Sequence, residues 1–311
     1  MSSGRTGSVV SSSPSFGRYS DEPVRLLQDA GLTVELVERG DTERLRAALR
    51  TADAWVAGFE PVDSTTLSDA PELKVAAKCG AGLDNFDLDY LRERGIAVVS
   101  VPGGNSSAVA EYAMAQVLAL ARGVAVNDAA VRTGAWKPHV GMGLAGRTLG
   151  IVGFGAIGRH LARLAKAFDM QLVVADPFLD ATRGAADGVQ VVELPTLLAT
   201  ADVVSLHVPL SDATRHLIGE PELAQMQPHA LLVNDSRGGI VDEQALARAL
   251  AAGTIAGAAV DVFADEPAPP DLPLLSAPNL LVSPHTAGYS DSALATVTLT
   301  CARSILEALG S

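Results

Sequence analysis

With 311 residues the chain is longer than a single hydrophobic core usually grows, so two domains are expected. A composition 48% hydrophobic and 19% charged excludes a disordered chain, and a net charge of −13 without any run of Lys or Arg argues against a nucleic-acid partner. Cys79 and Cys301 are the only cysteines and lie far apart, outside any CxxC spacing, which excludes a disulfide framework and a thiolate metal site and suits a reducing compartment.

Residues 1–15 are rich in Ser and Gly, lack the apolar centre of a signal peptide and read as a tail. No run of about 18 apolar residues occurs, so no membrane partner is expected and the cytoplasm is the expected location. Residues 25–30, 33–37, 42–49, 54–57, 73–77 and 96–99 then alternate helical patterns with short apolar runs, as βα units on a parallel sheet do. Residues 105–126 carry Ala, Val, Met and Leu all round, which predicts one long helix buried on most faces. From Thr148 a second series follows: strands over 149–152, 171–175, 203–206, 231–234, 255–260 and 280–283, with helices over 156–168 and 242–252 and a last helix near 290–309. These strands are almost free of charge, which predicts a doubly wound sheet covered on both faces.

Gly153, Gly155, Ala156, Ile157 and Gly158 belong to a Gly-rich run that follows the first strand of this series and opens a helix. That is the setting of a dinucleotide fingerprint, in which backbone amides meet a pyrophosphate at the positive end of a helix. Asp176 ends the next strand, about 20 residues on, where a carboxylate accepts from the ribose hydroxyls and repels a 2′-phosphate; NAD is therefore expected rather than NADP.

Three further strands end in polar segments: 231–239, containing Asp235, Ser236, Arg237, Gly238 and Gly239; 261–267, containing Asp261 and Glu266; and 281–288, containing His285 and Gly288. Together they resemble the signatures of the D-isomer-specific 2-hydroxyacid dehydrogenases, the family that includes phosphoglycerate dehydrogenase, glyoxylate reductase and D-lactate dehydrogenase. Residues 80–85, 105–111 and 132–136 also resemble family landmarks, so the likeness covers nearly the whole chain. It implies an α/β fold with two doubly wound parallel-sheet domains, a Rossmann NAD domain (101–283) inserted in a flavodoxin-like substrate-binding lid domain (1–100 and 284–311), with the long helix contributing to a homodimer.

The resemblance also implies roles. Arg237 would grip the substrate carboxylate and polarise the carbonyl, a task suited to a planar, permanently charged fork. His285 would exchange the proton of the carbonyl oxygen as hydride moves, and Glu266 would hold its other ring nitrogen and favour the protonated imidazole. A glutamine at the position of Glu266 would instead resemble formate dehydrogenases. Val208 and Pro209 would wall the cofactor, and Asp261, Asp235, Ser236 and Gly288 would contact it. Lys78, Cys79, Gly80, Ala81 and Gly82 would form a loop whose amides hold the substrate carboxylate; Cys79 has no base beside it for nucleophilic work. His207 reads as structural, and His139, His160, His216 and His229 as surface residues.

The implied activity is hydride transfer between NAD(H) and a small D-2-hydroxy or 2-keto acid. Residues 58–61, near which the family's phosphoglycerate enzymes place basic residues, contain no Arg or Lys, so a phosphorylated substrate would need a charge from elsewhere, such as Arg132, Lys137 or a second subunit. The alternatives are an NAD(H)-regulated binding protein resembling the family's corepressors, and a phosphite-type dehydrogenase.

Overall fold

The computed structural model describes residues 7–310, and the chain divides into two compact units, Met1–Asn105 with Tyr289–Ser311, and Ser106–Gly288. These boundaries fall a few residues beyond 100 and 283.

The first unit is built from β1 (Ser8–Ser11), α1 (Glu22–Asp29), β2 (Thr33–Leu36), α2 (Thr42–Leu49), β3 (Ala54–Ala57), β4 (Val75–Lys78), α3 (Leu88–Glu93), β5 (Ala97–Val99) and the C-terminal helix Asp291–Leu309. Its five strands are parallel in the order β2-β1-β3-β4-β5, the flavodoxin-like arrangement. β1 corrects the sequence reading. The Ser-rich stretch taken as a tail holds an interior strand, with Val9 and Val10 in the core and Ser11, Ser12, Ser13 and Ser15 buried but hydrogen-bonded; residues 1–6 lie outside the described part. Asp41 and Asp87 start α2 and α3 by accepting from the amides of Arg44 and Tyr90, each at 3.0 Å. The C-terminal helix has the length and mean hydropathy, 1.2, of a membrane span, but Val297, Cys301, Ala302 and Ile305 pack into the core with Val9, Val56, Val75 and Ala77.

The second unit contains α4 (Ser106–Ala121), α5 (Val124–Arg132), β6 (Thr148–Val152), α6 (Ala156–Lys166), β7 (Gln171–Ala175), α7 (Ala181–Asp187), β8 (Gln190–Val191), α8 (Leu194–Thr200), β9 (Val203–Leu206), α9 (Glu220–Leu223), β10 (Leu231–Asn234), α10 (Glu243–Ala252), β11 (Gly257–Val260) and β12 (Leu280–Val282). Its seven parallel strands run β12-β11-β10-β9-β6-β7-β8. From β6 the strands spread first to one side and then to the other, which is the Rossmann order with one strand added. Apolar clusters cover both faces, which explains strands without charge. The order reverses between β6 and β9, so the turns after these two strands flank the crevice where such sheets bind ligands.

The long helix expected over 105–126 is two helices. α4 is buried against the sheet, but Gly123 adopts φ +60° and α5 sets off at 58° to α4 with none of its residues buried.

Candidate active site

The Gly-rich turn leaves β6 at Gly153, whose φ is +90° and where an added Cβ would stand 2.5 Å from the carbonyl oxygen of His207. Only glycine combines that dihedral with that approach. Gly155 is the N-cap of α6, and an added Cβ there meets nothing within 4 Å, so there is open space beside the start of the helix that Ala156 and Ile157 begin. Gly158 lies against Gly153, as the third glycine of the fingerprint does. These features fit a pyrophosphate. Asp176, half-buried, accepts from the amides of Phe154 at 2.7 Å and Phe178 at 2.8 Å. It thus braces the glycine turn and retains acceptor capacity for ribose hydroxyls. Val208 and Pro209 follow β9 on the other side of the switch point, half-buried and exposed respectively.

His207 directly follows the same strand. Its Nε2 lies 2.9 Å from Ser205 Oγ, and burial pushes its imidazole down to about 4, so it is neutral near pH 7. His139, His216 and His229 are exposed, and His160 is half-buried beside Arg163.

The turn after β10 carries Arg237. Asn234, the last strand residue, accepts from Ser236 N at 3.2 Å and donates from Nδ2 to the Arg237 carbonyl at 3.0 Å; Ser236 Oγ donates to Leu206 O and ties β10 to β9. An added Cβ at Gly238 would stand 1.9 Å from Phe263 O. The glycine therefore lets this turn press on the turn after β11, which carries Glu266, and the guanidinium charge of Arg237 reaches the Glu266 carboxylate.

Glu266 is anchored by Phe263 N, which donates to its Oε1 at 3.1 Å, and its Oε2 lies 2.7 Å from His285 Nδ1. Burial raises the Glu266 carboxyl, but the hydrogen bond and charge of His285, the Phe263 amide and Arg237 outweigh it and leave it below the ordinary carboxylate range. An ionised carboxylate only accepts, so Nδ1 carries the hydrogen and Nε2 is the nitrogen left for chemistry.

His285 has φ +54°, a left-handed conformation that is costly for a residue with a Cβ. Asp261, fully buried at the end of β11, imposes it: its carbonyl accepts from His285 N at 2.7 Å, while its carboxylate accepts from Thr286 N and Ala287 N at 2.8 Å and from Ser283 Oγ at 2.6 Å. Gly288 closes this segment, half-buried. Asp235 is buried beside Asp261 and faces Gln116 of α4, whose amide, oriented to donate, lies 2.9 and 3.1 Å from its two oxygens. Burial first, and then the Asp261 charge, push Asp235 up to about 8, against the Gln116 hydrogen bond. Asn234, Gln116 and Glu243, which accepts from Ala264 N at 2.7 Å, were not among the residues expected to matter. Asn234 as a polar strand end was the one visible signal.

In the first unit, β4 ends at Lys78 and the loop Cys79, Gly80, Ala81, Gly82 follows. Lys78 Nζ donates to Gly58 O and lies 3.2 Å from Asn85 Oδ1, fastening the turns after β3 and β4 together. The 58–61 segment has no cation of its own, yet two flank it: the Arg39 guanidinium stands 4.8 Å and Lys78 Nζ 5.3 Å from the centroid of Phe59. Arg39 was not anticipated, because it arrives from the end of β2. Arg132 instead pairs with Asp128 at 2.8 Å. Cys79, distant in sequence from Cys301, packs on the apolar cluster that contains it, and both are free thiols. Among the described residues no group of three or more His, Cys, Asp or Glu is arranged to hold a metal.

A family model for the NAD-binding domain of D-isomer specific 2-hydroxyacid dehydrogenases matches residues 114–287. The chain belongs to this family. The D-3-phosphoglycerate dehydrogenase of Archaeoglobus fulgidus is 38% identical over 291 residues, 93% of this chain and 55% of that protein, so the chain spans about half of that relative's length. The (S)-sulfolactate dehydrogenase of Chromohalobacter salexigens is 43% identical over 252 residues, 80% of this chain and 82% of that protein. The crystal structure of D-lactate dehydrogenase from Aquifex aeolicus with NAD and lactic acid superposes with a TM-score of 0.84 at 27% identity, covering 98% of this chain and 96% of that one. As a family member the chain is an oxidoreductase of the class acting on CH–OH donors, and its cofactor is NAD.

Proposed function

We propose that the protein interconverts a small D-2-hydroxy acid and its 2-keto acid. The observation that carries this reading is the Glu266–His285 pair at 2.7 Å, held on a strained turn by Asp261 within reach of the Arg237 charge, on the same sheet edge as the dinucleotide turn. When bound, the nicotinamide supplies or takes the hydride. His285 Nε2 gives a proton to the carbonyl oxygen in reduction and removes it in oxidation, and Glu266 stabilises the imidazolium between the two. Arg237 binds the carboxylate and polarises the carbonyl, and in the first unit the amides of the 79–82 loop form a nest suited to an anion. Asp235, Ser236, Asp261, Val208, Pro209 and Gly288 border the cofactor in this reading. The relatives are 2-hydroxyacid oxidoreductases, which is the reason to set aside the corepressor-like and phosphite readings.

For the first unit we propose that the exposed Arg39 on Phe59 receives a second anionic group of the substrate, phosphate or sulfonate. The test is optical NADH oxidation against glyoxylate, pyruvate, hydroxypyruvate, 3-phosphohydroxypyruvate and sulfopyruvate. Turnover with one or more carries the class, a preference for the last two carries the second anion, and silence across the panel with NADH bound overturns the reading.

We further propose a homodimer, located in the cytoplasm, where both cysteines stand as thiols. α5 and the segment after it expose Val124, Val126, Val131, Trp136 and Val140, with Trp136 88% exposed, an apolar surface suited to a second copy. A monomeric mass by light scattering would refute it.

A further inference from the structure

Glu266 holds the ring of His285, but Glu266 itself stands in a segment after β11 that is neither helix nor strand. Such a segment keeps one conformation only as far as its backbone groups are pinned. The Phe263 amide goes to Glu266 at 3.1 Å, which ties the carboxylate to its own turn and not the turn to the fold. The next amide reaches outside: Ala264 N donates to Glu243 Oε1 at 2.7 Å, and Glu243 stands in the first turn of α10. We propose that Glu243 is a positioning residue of the reaction, which from α10 fixes the peptide between Phe263 and Ala264 and thereby the reach of Glu266 to His285.

That peptide is gripped from two sides. On one, an added Cβ at Gly238 would stand 1.9 Å from Phe263 O and 2.5 Å from Ala264 N, so the backbone of the Arg237 turn lies directly against it. On the other, Glu243 takes its N–H in a charge-assisted hydrogen bond, roughly twice as strong as a neutral one. The Phe263 ring, buried in the apolar cluster, fixes where the turn begins; the orientation of the 263–264 peptide decides how the chain leaves it toward Glu266.

The anchor at the far end of this chain of contacts is firm. Ala245, Leu246, Ala249 and Leu250 bury one face of α10 in the same cluster as Phe263. Asp242 caps the helix by accepting from Gln244 N and Ala245 N, each at 3.0 Å, and its own amide donates to Ile218 O at 3.0 Å. A carboxylate in a first helical turn is favourable for the helix alone, so a purely structural Glu243 would act on melting and not on turnover. The catalytic consequence rests on the proposed roles of Glu266 and His285; the grip on the turn does not.

The experiment compares Glu243→Ala and Glu243→Gln in the full-length protein, and repeats Glu243→Ala in the Glu266→Gln background. It reads kcat with the best keto acid, NADH affinity by fluorescence titration, melting, and hydrogen exchange at the Ala264 amide. Glu243→Ala should lower kcat about tenfold, leave NADH affinity unchanged and speed exchange at Ala264. Glu243→Gln keeps an acceptor oxygen at the same reach and should restore kcat to within about twofold. In the Glu266→Gln background Glu243→Ala should cost less than about twofold, because the group it positions is already gone. A full tenfold loss in that background overturns the proposal, as does an unchanged kcat with a lower melting temperature. Absence of turnover in the wild type would count against the proposed activity, and the exchange measurement then decides alone: unchanged exchange at Ala264 in Glu243→Ala overturns the grip, and faster exchange supports it.

Discussion

The carboxyl edges of the two sheets are built differently. In the second unit each chemical group stands just after a strand and is held by a residue at the end of the same strand or of its neighbour: Asn234 of β10 for the Arg237 turn, Asp261 after β11 for the His285 turn after β12. In the first unit the edge is assembled from afar, with Ser12, Arg39, Phe59, Lys78 and Tyr289 arriving from five places in the chain. The edge of the second unit suits a fixed reaction, whose parts must be positioned to fractions of an ångström, and that of the first unit suits recognition, where one residue can change without dislodging the rest.

If that division holds, the largest effects belong to the second unit. His285→Asn should lower kcat by about 100-fold or more while NADH still binds, because general acid–base contributions are of that order; rapid turnover by the variant would remove His285 from the mechanism. Glu266→Gln should be milder, about tenfold. It should leave the KM for NADH unchanged, since Glu266 acts on the reaction through the imidazole of His285. A loss of NADH binding that matches the loss of kcat would make Glu266 a packing residue.

In the first unit the expected effect is smaller and selective. Arg39→Ala should raise KM about fivefold for a keto acid bearing phosphate or sulfonate, the size expected of an exposed ion pair, and leave pyruvate and glyoxylate alone. Equal losses for all substrates would show that Arg39 only supports the fold.

The same division governs what the sequence revealed. The second unit was legible because its motifs are contiguous: a glycine turn after an apolar strand, and three strands ending in Arg237, Glu266 and His285. β1 was hidden because Val9 and Val10 sit among serines whose burial is compensated by hydrogen bonds that periodicity does not register. The break at Gly123 was hidden because apolar residues continue on both sides, although the α5 face they form is exposed. Arg39 was hidden because nothing in its segment refers to Phe59, on which its guanidinium lies.

The smallest expected effect sharpens the picture of the second unit as a rigid frame. Asp235 ionises near 8 in the folded protein against an ordinary value of 3.8, so between these values the folded state holds a proton that the unfolded state lacks. Stability attributable to Asp235 therefore falls as pH rises from about 4 to about 8 and is flat beyond, where the carboxylate is ionised in both states. Asp235→Asn keeps a partner for Gln116 and removes the titration. The variant should melt a few degrees higher than the wild type near pH 8.5, and the gap should narrow near pH 6. A gap of the same size at both values would mean that the substitution acts through packing, and that the Gln116–Asp235 contact is an ordinary hydrogen bond rather than a stored proton beside the turn that carries His285.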